Sequence, residues 1–406
     1  MTPAEGSIAL SARVRRIKPS ASMVARDRAR RLQAEGRDII DLTAGEPDFD
    51  TPKHISEAVA AALAAGETRY TPVNGTITLR KAIVAKLARE YGVRYELDQI
   101  AVGCGAKQVI YNALAATVGE GDEVIIPAPY WVSYPDMVLA CDGTPVVVPC
   151  GETAGFKLTA EALEKAVTPK TRWVILNSPC NPTGAFYSEG EMRALIKMLL
   201  RYPQIALMTD DIYDQIRFDG GAPVCPTALE PELGGRTLLV NGVSKTYAMT
   251  GFRIGYGAGP RALIAAMNTI QSQSTSCVSS LSQAAAVAAL NGPQDFVAEA
   301  LAAYRQRRDR AVELLNRVSG LSCQTPDGAF YVYPSCAGLI GKKTLEGRIL
   351  ATDFDVVMYF LDAAGVATVD GAAYGLSPYL RLSIATSIDK IDEACARLAR
   401  SCAALN

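Results

Sequence analysis

The chain has 406 residues, of which 49% are hydrophobic and 20% charged, with a formal net charge of -1. That length is too great for one ordinary core, so two domains, or one large α/β unit with an appendage, are expected. The balance of 41 basic against 42 acidic residues gives no electrostatic case for binding nucleic acid or an anionic membrane surface.

Residues 21–36, ASMVARDRARRLQAEG, predict a helix stopped by Gly36. DIIDLTAGEPDFDTP then reads as a short strand and a turn containing Gly45 and Pro47. HISEAVAAALAAG and TLRKAIVAKLAREYG read as amphipathic helices closed by Gly66 and Gly92. Strand-like runs follow at QIAVGCG, EVIIPAP, WVILNSP, IALMTDDIY, TLLVNGVS and RIGYGAG, with helical patterns such as EGEMRALIKMLL between several of them. Continuous apolar strands alternating with helices predict a mostly parallel sheet covered on both faces. Polar or small residues close three of the runs: Asn177-Ser178-Pro179, Asp210-Asp211, and Asn241 through Lys245. Ligands of open α/β sheets bind at that edge, so these groups are expected to share one cleft.

After NGPQDF the pattern changes. A long charged helix, FVAEALAAYRQRRDRAVELLNRV, leads to AFYVYPS, DVVMYFLDAAGVATV and LRLSIATS, and a terminal helix, IDEACARLARSCAAL, follows. This predicts a smaller α+β domain that the early helix joins. The expected division is an N-terminal arm over 1–20, a large domain over 51–294, and a discontinuous small domain over 21–50 and 295–406.

Two residue types narrow the chemistry. The ten cysteines are scattered without a CxxC pair, so free thiols are expected in place of a disulfide framework or a structural zinc site. His54 is the only histidine, at the start of a predicted helix. A Ser-His-Asp triad or a multi-histidine metal site would have to be built around it, and no metal is expected. The N-terminus lacks the apolar core of a secretory signal, and no apolar run reaches the roughly 18 residues of a membrane span. A cytoplasmic protein without membrane partners is the simplest expectation.

Four constellations could carry chemistry. In VGCGAKQVIYNAL (102–114) a strand, a glycine-containing turn and a helix start offer free N–H groups to a phosphate, as many such units do. In NSPCNPTG (177–184) two prolines and a glycine fix a loop that projects Asn181 toward a ligand hydroxyl, although Asn-Pro is also ordinary turn chemistry. In MTDDIYDQI (208–216) a strand-end aspartate could hold a proton on a heteroaromatic nitrogen such as that of pyridoxal phosphate. Asp210 and Asp211 are adjacent on a strand and point to opposite faces, so they rarely chelate one metal ion. In NGVSKTYAMTGFR (241–253) a cleft lysine of lowered pKa could bond covalently to a carbonyl and also move protons, with Arg253 facing a phosphate.

Together and in this order, the four strongly resemble the class I, fold-type-I pyridoxal phosphate aminotransferases, in particular the bacterial aspartate aminotransferase branch. The resemblance runs from about Lys18 to the last helix. It implies an α/β fold, pyridoxal 5'-phosphate as cofactor, amino acid and 2-oxo acid substrates, and a homodimer with shared active sites. By that resemblance Lys245 holds the cofactor, Arg253 contacts its phosphate, and Gly105 and Ala106 cradle the same group. Asp210 partners the ring nitrogen, Tyr213 and Asn181 bond the ring 3-oxygen, and Trp131 stacks on the ring. Arg381 grips the substrate α-carboxylate with Gly45 nearby, and Tyr70 reaches the neighbouring subunit's phosphate.

For the substrate side-chain carboxylate the branch uses a lysine and a hydroxyl, here matched by Lys107 and Ser22, the latter in KPSAS where threonine is more common. Lys18 matches a lysine associated with prephenate as substrate. Asp211 and Phe252 depart from the frequent glutamate and tryptophan and are read as packing variation. The implied reaction is ping-pong transfer of the amino group of L-aspartate to 2-oxoglutarate. An aromatic or prephenate aminotransferase and a β-elimination lyase remain open on the same scaffold.

Overall fold

The computed structural model describes residues 8–17 and 21–406, and for 21–26 the backbone alone. Strand β1 (Ile40–Asp41) follows the helix Ala21–Ala34. Strands β2 (Ile100–Cys104), β3 (Glu123–Ala128), β4 (Thr144–Pro149), β5 (Thr171–Asn177), β6 (Ala206–Asp210), β7 (Thr237–Gly242) and β8 (Ile254–Ala258) form one seven-stranded sheet. Their spatial order is β2-β8-β7-β6-β5-β3-β4. The β4-β3-β5-β6-β7 stretch is parallel, while β8 runs antiparallel to both β7 and β2. The sheet is thus mostly parallel, as the apolar runs predict. The edge strand β4, TPVVVP, was not among the expected runs; its prolines fit an edge position, where a missing N–H goes unneeded.

Helices cover both faces because alternate strand residues are apolar on both sides. Ile126, Ile175, Met208 and Val240 pack with Val109, Ile110 and Leu114 of the helix Ala106–Thr117. Ile125, Val174, Leu176 and Leu207 pack the other way, against Leu195 and Leu199 of the helix Glu189–Leu199. That helix starts where Ser188 and Glu191 form a reciprocal capping box. At the β2–β8 end, the helices Lys53–Ala64, Ile77–Tyr91 and Ser280–Asn291 bury Ile55, Leu79, Ile83 and Leu290 against Ile100, Ile254 and Tyr256.

The C-terminal part carries β9 (Tyr331–Val332), β10 (Val366–Ala367), β11 (Val369–Asp370) and β12 (Leu380–Ser383). β11, β12 and β9 form an antiparallel sheet, and β10 pairs in parallel with β1. The run DVVMYFLDAAGVATV divides into the helix Asp353–Tyr359, a wider turn over Phe360–Ala364, and the two short strands β10 and β11. The helices Asp295–Leu315 and Ile388–Ala403 supply Tyr304, Leu315 and Leu398 to a core shared with Phe330, Val356 and Phe360. Among the described residues, no helix is long and apolar enough to cross a membrane.

Candidate active site

A cavity of about 260 Å³ lies at the C-terminal edge of the parallel strands. Into it the structure brings Ala106 and Lys107 after β2, Trp131 after β3, Asn181 after β5, Asp210 and Tyr213 at and after β6, and Lys245 after β7. Gly45, Arg253 and Arg381 complete the set from outside those connections. A wider, open depression of about 880 Å³ over Asp38, Arg348 and Arg397 contains none of them.

Lys245 donates from Nζ to the Gly45 carbonyl at 2.6 Å. Burial lowers its ammonium to about 8; Arg253 and Arg381 add to that shift, while Glu46 and Asp210 oppose it. About a tenth of this lysine is therefore a neutral, nucleophilic amine at pH 7, far more than for an ordinary lysine. Asp210 closes β6 and is 4% exposed. Burial raises its carboxyl to about 6, against the pull of the Tyr134 hydroxyl, the Ile212 N–H and Lys245. The Tyr134 hydroxyl donates to Oδ2 at 2.6 Å. Burial holds that phenol well above its usual range, so it remains a donor.

At the other end of the cavity, Gly105 opens the helix Ala106–Thr117 with φ 79° and ψ 162°. That conformation suits glycine alone. A Cβ there would overlap the Arg253 guanidinium. A Cβ on Gly255 would overlap the backbone of Gly105 and Ala106, so β8 can approach the helix start only as glycine. Arg253, itself at φ 57°, donates to the carbonyls of Thr250 at 3.0 Å and Cys104 at 3.3 Å. A guanidinium beside free helix N–H groups is a site for a phosphate.

Arg381, from β12, is 5% exposed. It donates to Asn181 Oδ1 at 3.1 Å and to the Thr43 carbonyl at 2.6 Å, and lies 4.5 Å above the Tyr331 ring. Those partners hold the fork flat at the cavity wall, a geometry suited to a carboxylate. Asn181 is fixed in turn by its N–H to Asn177 Oδ1 at 2.8 Å, and Asn177 Nδ2 bonds the Asp210 carbonyl at 2.7 Å. Tyr213 and Tyr331 share a hydroxyl hydrogen bond of 2.9 Å. Lys107 lies 4.7 Å from the Trp131 ring and donates to Ser133 at 3.0 Å. Burial, with help from Arg253, lowers the Lys107 ammonium.

Three expected residues stand apart. Tyr70 is 93% exposed and does not line the cavity. Lys18 lies outside the described residues, and the side chain of Ser22 does too. Sequence reasoning missed Thr43, Tyr134, Ser244, Tyr331 and Tyr374. Ser244 was signalled by its place beside Lys245; the others reach the site only through long-range packing.

The fit to pyridoxal phosphate can be tested on these side chains. An amine of lowered pKa, a buried carboxylate opposite it, an indole at the wall, and a guanidinium over glycine-shaped backbone at a helix start match the aldehyde, ring nitrogen, ring face and phosphate of that group. Among the described residues, no group of three or more His, Cys, Asp or Glu side chains is arranged to hold a metal ion.

Comparisons with known proteins agree with that chemistry. The family described as "Aminotransferase class I and II" matches residues 37–398. An aspartate aminotransferase of Rhizobium meliloti (strain 1021) is 54% identical, covering 92% of each chain. An aspartate/prephenate aminotransferase of Cereibacter sphaeroides is 52% identical, covering 98% of this chain and 99% of its own. The crystal structure of an aspartate aminotransferase from Rhizobium meliloti superposes with a TM-score of 0.97 at 52% identity, over 98% of this chain and 100% of that one. One from Thermus thermophilus with maleate gives 0.91 at 38% identity, over 97% and 100%. With family, fold and site in agreement, the chain belongs to the class I and II aminotransferases.

Proposed function

We propose that the protein is a pyridoxal-phosphate-dependent aspartate aminotransferase that moves the amino group of L-aspartate to 2-oxoglutarate, giving oxaloacetate and L-glutamate. The observation that carries the reading is the pairing of Lys245, lowered to about 8, with the buried Asp210 carboxylate in one cavity that also presents Arg381. Relatives named aspartate aminotransferase at 52–54% identity support the substrate, as does the Thermus neighbour holding a dicarboxylate, maleate.

In this reading the cofactor, when bound through Lys245, supplies an electron-withdrawing ring that takes up the electron pair released as Cα loses its proton. The protein's residues do the rest. Arg381 binds the α-carboxylate and so fixes which Cα bond faces the ring. Lys245 would hold the group through Nζ and, when free of it, would be placed to take up and give back the substrate Cα proton. Asp210 would hold a proton on the ring nitrogen, with Tyr134 favouring the ionised form of Asp210. Tyr213 and Asn181 would donate to the ring oxygen, Trp131 would cover the ring face and exclude water, and Arg253 with the Gly105–Ala106 backbone would hold the phosphate. Lys107 and Ser22 take the side-chain carboxylate, and Gly45 lies against the α-carboxylate.

Tyr70, on an exposed loop, is assigned to the neighbouring subunit's phosphate in a homodimer; its 93% exposure in the single chain supports that role. A second reading, activity on prephenate as well as aspartate, is favoured by the Cereibacter relative's name, with Lys18 as the residue concerned.

The test is an absorbance spectrum of the cofactor-loaded protein before and after aspartate, with no acceptor. Conversion of the lysine-bound cofactor band to that of the amine form, with one equivalent of oxaloacetate, is expected. A cofactor band that aspartate leaves unchanged, with no oxaloacetate formed, would refute the reading, and Lys245→Ala with near-normal turnover would refute the assignment of the lysine.

A further inference from the structure

Beneath the cavity lies a buried charged cluster to which no role has been given above. Lys86, fully buried in the helix Ile77–Tyr91, pairs with Asp214 at 2.5 Å and with Glu90 at 2.6 Å. Asp214 Oδ2 also accepts from the Tyr91 hydroxyl at 2.9 Å and from Asn241 Nδ2 at 2.8 Å. Its other oxygen takes a long bond from the Thr246 hydroxyl at 3.5 Å. Gln215 donates to Glu90 at 2.8 Å and ties the same loop to the same helix.

The positions of these partners matter more than their number. Asp214 follows Tyr213, Asn241 ends β7, and Thr246 follows Lys245. One carboxylate therefore joins the loop that carries Asp210 and Tyr213 to the loop that carries Lys245. Both are anchored to a helix that supplies no residue to the cavity. A buried ion pair adds little net stability compared with a well-packed apolar pair, but it has strict geometry. Loss of the partner carboxylate would leave Lys86 with Glu90 as its remaining ion-pair partner.

We propose that Asp214, held by Lys86, Tyr91 and Asn241, is a positioning residue that fixes Lys245 relative to Asp210 and Tyr213. The inference rests on the roles proposed for those three residues. Small displacements of reacting groups are costly in rate and leave binding much less affected.

The experiment compares cofactor-loaded Asp214→Asn with the unaltered protein. Asparagine keeps the shape and one acceptor oxygen but removes the charge that pairs with the buried Lys86. The expected result is a kcat lower by about 10- to 100-fold with KM for aspartate nearly unchanged. The pH midpoint of the bound cofactor's visible absorption shifts by about one unit as Lys245 moves relative to Asp210 and Arg381. Tyr91→Phe, which removes one donor and no charge, shifts kcat and the midpoint in the same direction by less, and it decides the matter if Asp214→Asn does not fold.

A folded, loaded Asp214→Asn with the normal kcat and midpoint, whatever its melting temperature, would reduce the cluster to a purely structural role and overturn the proposal. In the absence of a folded Asp214→Asn, unaltered values in Tyr91→Phe would do the same. Failure of the proposed function is distinguishable. An unaltered protein that binds the cofactor at Lys245 and ignores aspartate would refute the substrate, while the midpoint comparison would still test the positioning.

Discussion

Tyr134→Phe removes one hydroxyl and leaves the ring packing edge-on against Trp131, centroids 5.3 Å apart. The lost contact is the 2.6 Å bond to Asp210 Oδ2. A hydrogen bond to a charged group contributes about 1.5–3 kcal/mol, which at about 1.4 kcal/mol per pKa unit is one to two units. Asp210, raised by burial to about 6 with the bond in place, should then titrate at roughly 7–8. At pH 7 the ionised fraction falls from roughly nine-tenths to between a half and a tenth.

The sign for stability follows from linkage. The folded-state pKa lies above the unfolded value of about 3.9, so the stability this group contributes is complete below that value and is lost as pH rises through the folded pKa. That loss ends near pH 6 in the unaltered protein and continues to about pH 8 in the variant. The assay is carbon NMR of the aspartate carboxyls in the cofactor-free protein, with Asp210→Asn to assign the resonance. Urea unfolding at pH 5 and pH 8 provides the check on stability. A midpoint that stays near 6 in Tyr134→Phe would refute the reasoning and leave Lys245 and the Ile212 N–H as sufficient to hold Asp210 down.

Two further changes probe the ends of the cavity. Arg381→Lys loses the bonds to Asn181 and Thr43 and the flat fork; kcat/KM for aspartate should fall by at least about 2 kcal/mol, roughly 30-fold, in steady-state assays. Gly105→Ala places a Cβ against the Arg253 guanidinium in a backbone conformation that costs about 1–3 kcal/mol for other residues, so equilibrium dialysis should show cofactor affinity weakened about tenfold or more.

What the sequence made legible were groups announced by local pattern. Asp210, Asn181 and Lys245 follow apolar runs long enough to be strands, and strand ends of a parallel sheet converge on one edge. The direction of β8 was not legible, because a five-residue apolar strand reads the same either way. Tyr134, Tyr331 and Thr43 carry no local mark. Tyr134 looks like any helical aromatic until β6 places Asp210 beside it, and Thr43 contributes a backbone carbonyl, which every residue has. Asp211, read as packing variation, lies buried with the Thr209 hydroxyl at 3.5 Å, and burial first, then Asp214 and Asp210, hold its carboxyl well above the usual range.

The bond between Arg381 and the Thr43 carbonyl spans 338 positions, and β1 needs β10 for its pairing. A ribosome making this chain releases every cofactor-facing strand of the large sheet before it reaches Arg381. During synthesis a nascent chain can therefore have most of its cofactor pocket and no clamp for substrate. Catalytic competence arrives late and nearly all at once, when the final strand finds a partner that left the ribosome first.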